Sequence, residues 1–73
     1  MINDRAVAER VSQLFLDVGK RLDESVALVQ ASCSPSELQS YRRAVGEIMG
    51  AMLLGVMNPL YAQHPDLKPK DLR

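Results

Sequence analysis

Apolar residues recur at steps of three and four over the first part of the chain, and charged side chains fall mostly between them. This spacing is typical of an amphipathic helix. The apolar positions are Val7, Val11, Leu14, Phe15, Val18, Leu22, Val26 and Val29. The side-chain oxygen of Asn3 can accept a hydrogen bond from a first-turn amide, so we expect Asn3 to cap this helix. The pattern predicts a first helix over residues 4–31.

A second helix start follows closely. Ser34 and Glu37 have the spacing of a capping box, and Pro35 occupies the first helical position, where its missing N–H is harmless. Pro59 disfavours helical conformation at the residue before it, so we expect the second helix to end near Met57. Because the link is short, helices over residues 4–31 and 35–57 should form an antiparallel hairpin.

The end of the second helix is apolar on every side. From Ile48 to Met57 no residue carries a charge or a hydrogen-bonding side chain. A helix that is apolar all round must be buried all round, and one neighbouring helix covers only one side of it. The sequence therefore predicts that something else covers the remainder.

A helical wheel divides the second helix into two faces. One face suits the first helix and comprises Leu38, Tyr41, Val45, Ile48, Met49, Met52 and Val56. A second direction lies roughly a right angle away, outside a simple hairpin. A second copy of the chain could cover it across a two-fold axis, and the two hairpins would make a four-helix bundle. The predicted interface residues are Gly46, Met49, Gly50, Leu53, Leu54 and Met57.

The turn at Cys33 also predicts which residues face each other, since positions whose numbers add up to about 66 should lie at one level of the hairpin. Phe15 then faces Gly50, and Val11 faces Gly55. Large side chains opposite small ones let core layers interdigitate. We therefore expect side chains of the first helix to fill the space beside these glycines.

Residues 58–73 contain three prolines and show no sustained period. We expect a single helical-hairpin domain over residues 1–63 and a flexible, irregular tail over residues 64–73. His64, at the start of this tail, is expected to be a solvated surface residue.

Length and composition favour association as a source of stability. A chain of 73 residues forms one domain at most and buries too little surface to be comfortably stable alone. Cys33 is the only cysteine, which excludes an internal disulfide, and one cysteine with one histidine does not suggest a metal site. A homodimer is the simplest answer, although another protein could be the partner. The lone cysteine and the lack of a leader pattern predict a cytoplasmic location.

Charge and length argue against nucleic acid and membranes as partners. Nine basic residues balance nine acidic ones, and Arg42 with Arg43 is the only support for a phosphate-binding patch. The ten apolar residues would span about 15 Å as a helix, half of the roughly 30 Å hydrocarbon core of a bilayer. A helix lying on a membrane would need a basic flank, which this run lacks.

Candidate chemistry is sparse. Cys33 precedes a helix N-terminus, which can activate a thiol, but packing against Leu38 is the simpler role. The second helix would hold Cys33 and His64 about 34 Å apart, which excludes a dyad within one chain. The sequence carries no motif for catalysis, a cofactor or a small-molecule ligand. We expect a non-enzymatic protein–protein interaction module: a homodimer, an adaptor or a small chaperone subunit. The alternatives are a nucleic-acid or membrane-surface binding module, and a thiol-dependent redox protein that uses Cys33.

Overall fold

The helices indicated by the hydrophobic spacing are present in the computed structural model of the chain, which describes residues 1–70. Helix α1 spans Arg5–Ser32, α2 spans Pro35–Met52, and a short α3 spans Asn58–Gln63. No strand occurs in the described part of the chain. Residues 71–73, the end of the predicted tail, lie outside the described residues.

Helices α1 and α2 pack against each other as a hairpin, so the predicted all-α fold is confirmed. The cap of α1 is Asp4 and not Asn3: the Oδ1 of Asp4 accepts a hydrogen bond from the amide of Val7 at 3.1 Å. Asn3 instead accepts a hydrogen bond from the Nε2 of Gln63 at 2.5 Å. Both residue types make good caps. Asn3 is not the cap because it contacts Gln63 near the far end of the chain, and local sequence does not reveal that contact.

The predicted capping box of α2 is confirmed. The Oγ of Ser34 accepts from the amide of Glu37 at 3.3 Å, and the Oε1 of Glu37 accepts from the amide of Ser34 at 3.2 Å. The Ser34 hydroxyl also donates to the same carboxylate at 2.8 Å, and this bond is the main reason that the pKa of Glu37 lies below its usual value. Two amides that the helix leaves free are thereby satisfied.

We expect Ser34→Ala to lower the free energy of unfolding by about 1 kcal/mol, because the first turn of α2 loses its side-chain acceptor. Urea unfolding followed by circular dichroism measures the change. Ser40→Ala is the matched control, since Ser40 is exposed in the middle of α2. Equal losses in the two variants would contradict the capping role.

The predicted end of the second helix at Met57 is wrong, because the helical stretch covers Pro35–Gln63 and is 29 residues long. It contains a π turn at Leu53–Met57, in which the amide of Asn58 donates to the carbonyl of Leu53, five residues back. In a regular α-helix the ring of Pro59 would collide with the carbonyl four residues earlier. The π turn changes the hydrogen-bond spacing there, and the helix continues past the proline.

The π turn changes which side chains face α1. One extra residue in a turn rotates all later residues by about 100°. In an uninterrupted α-helix Met57 and Tyr61 would point away from α1, whereas in the structure both are buried. Met57, a predicted interface residue, is 6% exposed and belongs to the core of its own chain. The wheel that placed Met57 outside assumed a regular helix throughout.

The main core lies at the open end of the hairpin, where α3 packs on the start of α1. Ala8, Met57, Leu60 and Tyr61 form the core cluster, and Leu60 is 0% exposed. The hydroxyl groups of Ser12 and Tyr61 share a buried hydrogen bond of 2.5 Å beside it. Each hydroxyl gives the other the partner that a buried polar group requires.

The segment after α3 contacts the start of α1. The Nε2 of His64 donates to the carbonyl of Ile2 at 2.6 Å, so the half-buried His64 is not the solvated residue that was expected. Leu67, in a single 3₁₀ turn at Pro65–Leu67, packs on the core cluster. The beginning of the predicted tail is therefore held on the hairpin, while the flexibility of residues 64–73 stays a prediction.

An exposed ion pair joins the same two segments. The Nε of Arg5 donates to the Oδ2 of Asp66 at 2.9 Å, and this hydrogen bond is the main reason that the pKa of Asp66 lies below its usual value. A lowered pKa in the folded state favours the charged carboxylate. The contact is therefore complete at neutral pH and is lost as the pH falls through the lowered pKa of Asp66.

The helix register near the turn agrees with the expected sum of about 66. The hydroxyl of Ser25 donates to the carbonyl of Leu22 at 2.6 Å, so it accepts from the hydroxyl of Tyr41, which lies 2.7 Å away. Ser25 and Tyr41 thus lie opposite each other, as the turn position implies.

The predicted filling of the glycine positions is wrong. A Cβ built on Gly50 or on Gly55 would meet no atom of a neighbouring element within 4 Å. Phe15 and Val11, expected at these glycines, pack on the core cluster instead. The glycines therefore face open space within a single chain.

Candidate interaction surfaces

Each helix of the hairpin has one row of residues that faces the other helix. Three of these residues, Ala8, Ser12 and Val45, are buried, and the others are half-buried. A residue one position before or after a member of the row lies about 100° around the helix, and thus on one flank of the hairpin. The inward rows are Ala8, Ser12, Phe15, Gly19 and Leu22 on α1, and Val45, Met49, Met52 and Val56 along α2 and the π turn.

The two flanks can be assigned from helix geometry. Both helices are right-handed and they run in opposite directions, so positions displaced in the same sense along both sequences lie on the same flank. Positions that follow the inward rows make the groove side. Positions that precede the inward rows make a second flank, the aliphatic face.

The groove side contains an open, largely apolar groove of about 470 Å³ between the helices. On α1 its apolar lining includes Phe15 and Leu16, and its polar lining consists of Lys20 and Asp23. Its lining on the other side is Met49, Gly50, Met52, Leu53 and Met57. The methionines make this lining adaptable in shape.

The six predicted interface residues do not form one surface. Gly46 and Leu54 do not line the groove, and Leu54 is 71% exposed on the outer side of the helix. Leu53 is half-buried against the core cluster, and Met57 is part of that cluster. The residues that the structure does bring together in the groove are Met49, Gly50, Leu53 and Met57.

The aliphatic face was missed by sequence reasoning. Leu14 is 57% exposed and Ile48 is 51% exposed, although Ile48 was assigned to the face covered by the first helix. The sequence does contain a signal for this face. On each helix a second row, spaced by four, three and four residues, lies directly beside the inward row. On the first helix this row was part of the single predicted apolar stripe, together with Phe15 and Leu22. The members are Val7, Val11, Leu14 and Val18, with Ala44, Ile48, Ala51 and Gly55.

The residues with reactive or titratable side chains are spread over the molecule. Cys33 is an exposed free thiol at the turn, and His64 lies at the opposite end of a molecule 44 Å long. Arg43 is exposed and lies 3.8 Å from Glu47. Within residues 1–70 no three cysteine, histidine or acidic side chains come together as a metal site would require.

One helix in the described residues, Pro35–Gln63, is long and apolar enough to cross a membrane. The run of ten apolar residues, which is too short to span a bilayer, is only part of this helix of 29 residues. Core helices of soluble proteins meet the same criteria, but they are mostly buried. Here 22% of the most apolar stretch is buried within the chain. The surface of this helix is thus largely uncovered.

The sequence matches no protein family model, and neither the curated proteins nor the solved structures include a significant match.

Proposed function

We propose that this chain is a non-enzymatic protein–protein interaction module that forms a homodimer, in which two hairpins associate as a four-helix bundle. The observation that carries the proposal is the amount of apolar surface that a single hairpin leaves uncovered. Its flanks are the groove side, with the predicted residues Gly46, Gly50 and Leu53, and the aliphatic face.

The accessible surface supports a dimer quantitatively. The chain exposes 5368 Å², whereas a folded monomer of the same mass is expected to expose about 4,500 Å². The excess of about 900 Å² is close to the roughly 800 Å² that each partner buries in a standard interface. A second copy would therefore bring the exposed surface of each chain to the usual range.

The small core supports the same conclusion. Leu60 is the one large side chain within residues 1–70 that is fully buried, whereas large aliphatic residues such as Leu14, Leu28, Ile48 and Leu54 are exposed. Contiguous apolar surface in a soluble protein marks an interaction site. Association gives these side chains the burial that the hairpin alone does not.

A non-enzymatic role is supported by the distance between Cys33 and His64, which occupy opposite ends of the molecule. A thiolate and its general base must lie within hydrogen-bond reach of each other. A cytoplasmic location fits an exposed, free Cys33, because thiols remain reduced there.

A membrane-spanning role for Pro35–Gln63 is the second candidate, because that helix has the required length and composition. In the hairpin, however, α1 lies alongside it and carries eight charged residues between Arg5 and Glu24. A charged residue at the bilayer centre costs about 2.5–3.5 kcal/mol even on the most lenient scale. Spanning would therefore require the hairpin to open, and we favour the dimer.

Sedimentation equilibrium of the purified full chain tests the proposal. We expect a mass of about 16 kDa, twice the 8.1 kDa of the chain, over the micromolar range. Because the buried surface would be apolar, added salt should not dissociate the dimer. A mass of 8.1 kDa at every concentration would refute the homodimer. Co-sedimentation with neutral phosphatidylcholine vesicles would instead support the membrane candidate.

A further inference from the structure

We propose that the second copy docks on the aliphatic face, with the groove left open on the opposite flank. This inference rests on the homodimer proposed above and adds the surface that forms it. It differs from the sequence expectation, which placed the interface at Gly46, Gly50 and Leu53 on the groove side. Three features of the described residues separate the two flanks.

The first feature is the chemistry of the two flanking rows on α1. Before each inward residue stand Val7, Val11, Leu14, Val18 and Arg21. After each inward residue stand Glu9, Gln13, Leu16, Lys20 and Asp23. The first row is apolar except for its last member, and the second is polar except for Leu16. Only the first row can be covered by an apolar partner surface without removing several charges from water.

The second feature is the position of the ionic groups at each edge. Lys20 and Asp23 have no ion-pair partner within residues 1–70, so docking on the groove side would desolvate two charges that the chain does not neutralise. Arg21, which ends the aliphatic row, already pairs with Asp17 at 3.1 Å, and its side chain is 77% exposed. It can stay in water at the rim of an interface.

The third feature is that both helices carry a second apolar row on this flank. A helix in a four-helix bundle contacts two neighbours and needs a wider apolar stripe than a helix in an isolated pair. The aliphatic rows of α1 and α2 supply this width with the same spacing. By the register that Ser25 and Tyr41 define, the small Ala51 on α2 lies across from the larger Leu14 on α1. Such alternation lets the layers of two hairpins interdigitate.

The groove offers less surface for a second copy. Leu53 and Met57 are already covered in part or in full by their own core cluster. On the aliphatic face Val11 packs on that cluster too, but Leu14 and Ile48 are more than half exposed and available to a partner.

An aspartate introduced on one flank or the other tests which flank forms the dimer interface. We expect Leu14→Asp to weaken dimerisation by about a hundredfold or more, because the new carboxylate would be buried without a partner. Gln13→Asp is the matched control, since it adds the same side chain one position along on an exposed site of α1. Gly50→Asp is the groove variant, because a Cβ there meets no neighbour. Both should dimerise like the wild type in sedimentation equilibrium.

A labelling experiment gives the same answer without depending on the stability of an aspartate variant. In a Cys33→Ser background, single cysteines are introduced by Leu14→Cys and by Lys20→Cys. We expect alkylation at position 14 to slow as the protein concentration rises, because dimerisation covers that thiol. Alkylation at position 20 should not depend on concentration.

The outcomes separate this inference from the proposed function. A dimer that survives Leu14→Asp but dissociates with Gly50→Asp would overturn the assignment of the face and leave the homodimer standing. Concentration-dependent protection at position 20 alone would do the same. A wild-type chain that is monomeric throughout would overturn both.

Discussion

Leu60→Ala should lower the free energy of unfolding by about 2–5 kcal/mol. Leu60 is fully buried in the core cluster, so its truncation leaves a cavity in the cluster that holds most of the buried apolar side chains. A domain of this length is expected to have a total stability of about 4–11 kcal/mol. The variant should therefore lose a large fraction of its stability, which urea unfolding at a fixed protein concentration measures as a lower midpoint.

Leu54→Ala is the matched control for this substitution. Leu54 lies six positions earlier in the same helical stretch, and its side chain is 71% exposed. Removing it should change the free energy of unfolding by less than about 0.5 kcal/mol. If the two alanine variants unfolded at the same urea concentration, the core would not lie where the structure places it.

Deletion of Leu54 should be far more damaging than its substitution. Without this residue the π turn can close as a regular α-helix, in which Met57 and Tyr61 keep their direction, because the turn has lost its one extra residue. The cost comes from Pro59, whose ring meets a carbonyl in the regular helix, and amounts to about 3 kcal/mol.

Circular dichroism and urea unfolding of the deletion variant and of Leu54→Ala test this prediction together. Both variants lose the same exposed side chain, and only the deletion shortens the backbone. We expect the deletion to lower the free energy of unfolding by about 3 kcal/mol, while the substitution variant behaves like the wild type. Near wild-type stability in both would mean that the π turn is not what lets the helix continue past Pro59.

The parts of the fold that could be predicted are those fixed by local chemistry. Ser34, Pro35 and Glu37 define the start of α2 through side-chain and backbone groups within one turn, and the structure contains that capping box. The hairpin could be predicted because the link between the two helices is short. Ser25 and Tyr41 confirm the register on the side of the turn.

The parts that could not be predicted depend on contacts between distant segments. Pro59 was a sound reason to end a helix, and only the π turn at Leu53–Met57 allows the helix to continue. The π turn is favourable because it lets α3 pack on α1, which buries Tyr61 against Ser12. Asn3 and His64 were misassigned for the same reason: their partners lie about 60 residues away.

The sequence predicted the kind of site, an apolar interaction surface, but not the residues that form it. The sequence correctly showed that the second helix has more apolar surface than one neighbour can cover. The choice among its faces depended on a regular wheel, which placed Met57 outside and Ile48 inside, whereas the structure has them the other way round. The homodimer itself stays a prediction.

Two hydrogen-bonded tyrosines, one at each end of the hairpin, give the protein a pair of intrinsic optical reporters. The chain has no tryptophan and two tyrosines, so tyrosine dominates its near-ultraviolet fluorescence. Tyr41 reports on the turn end through Ser25, and Tyr61 reports on the open end through Ser12. In the variants Tyr61→Phe and Tyr41→Phe, each of which keeps one tyrosine, fraying at one end can thus be followed separately from fraying at the other without an added dye.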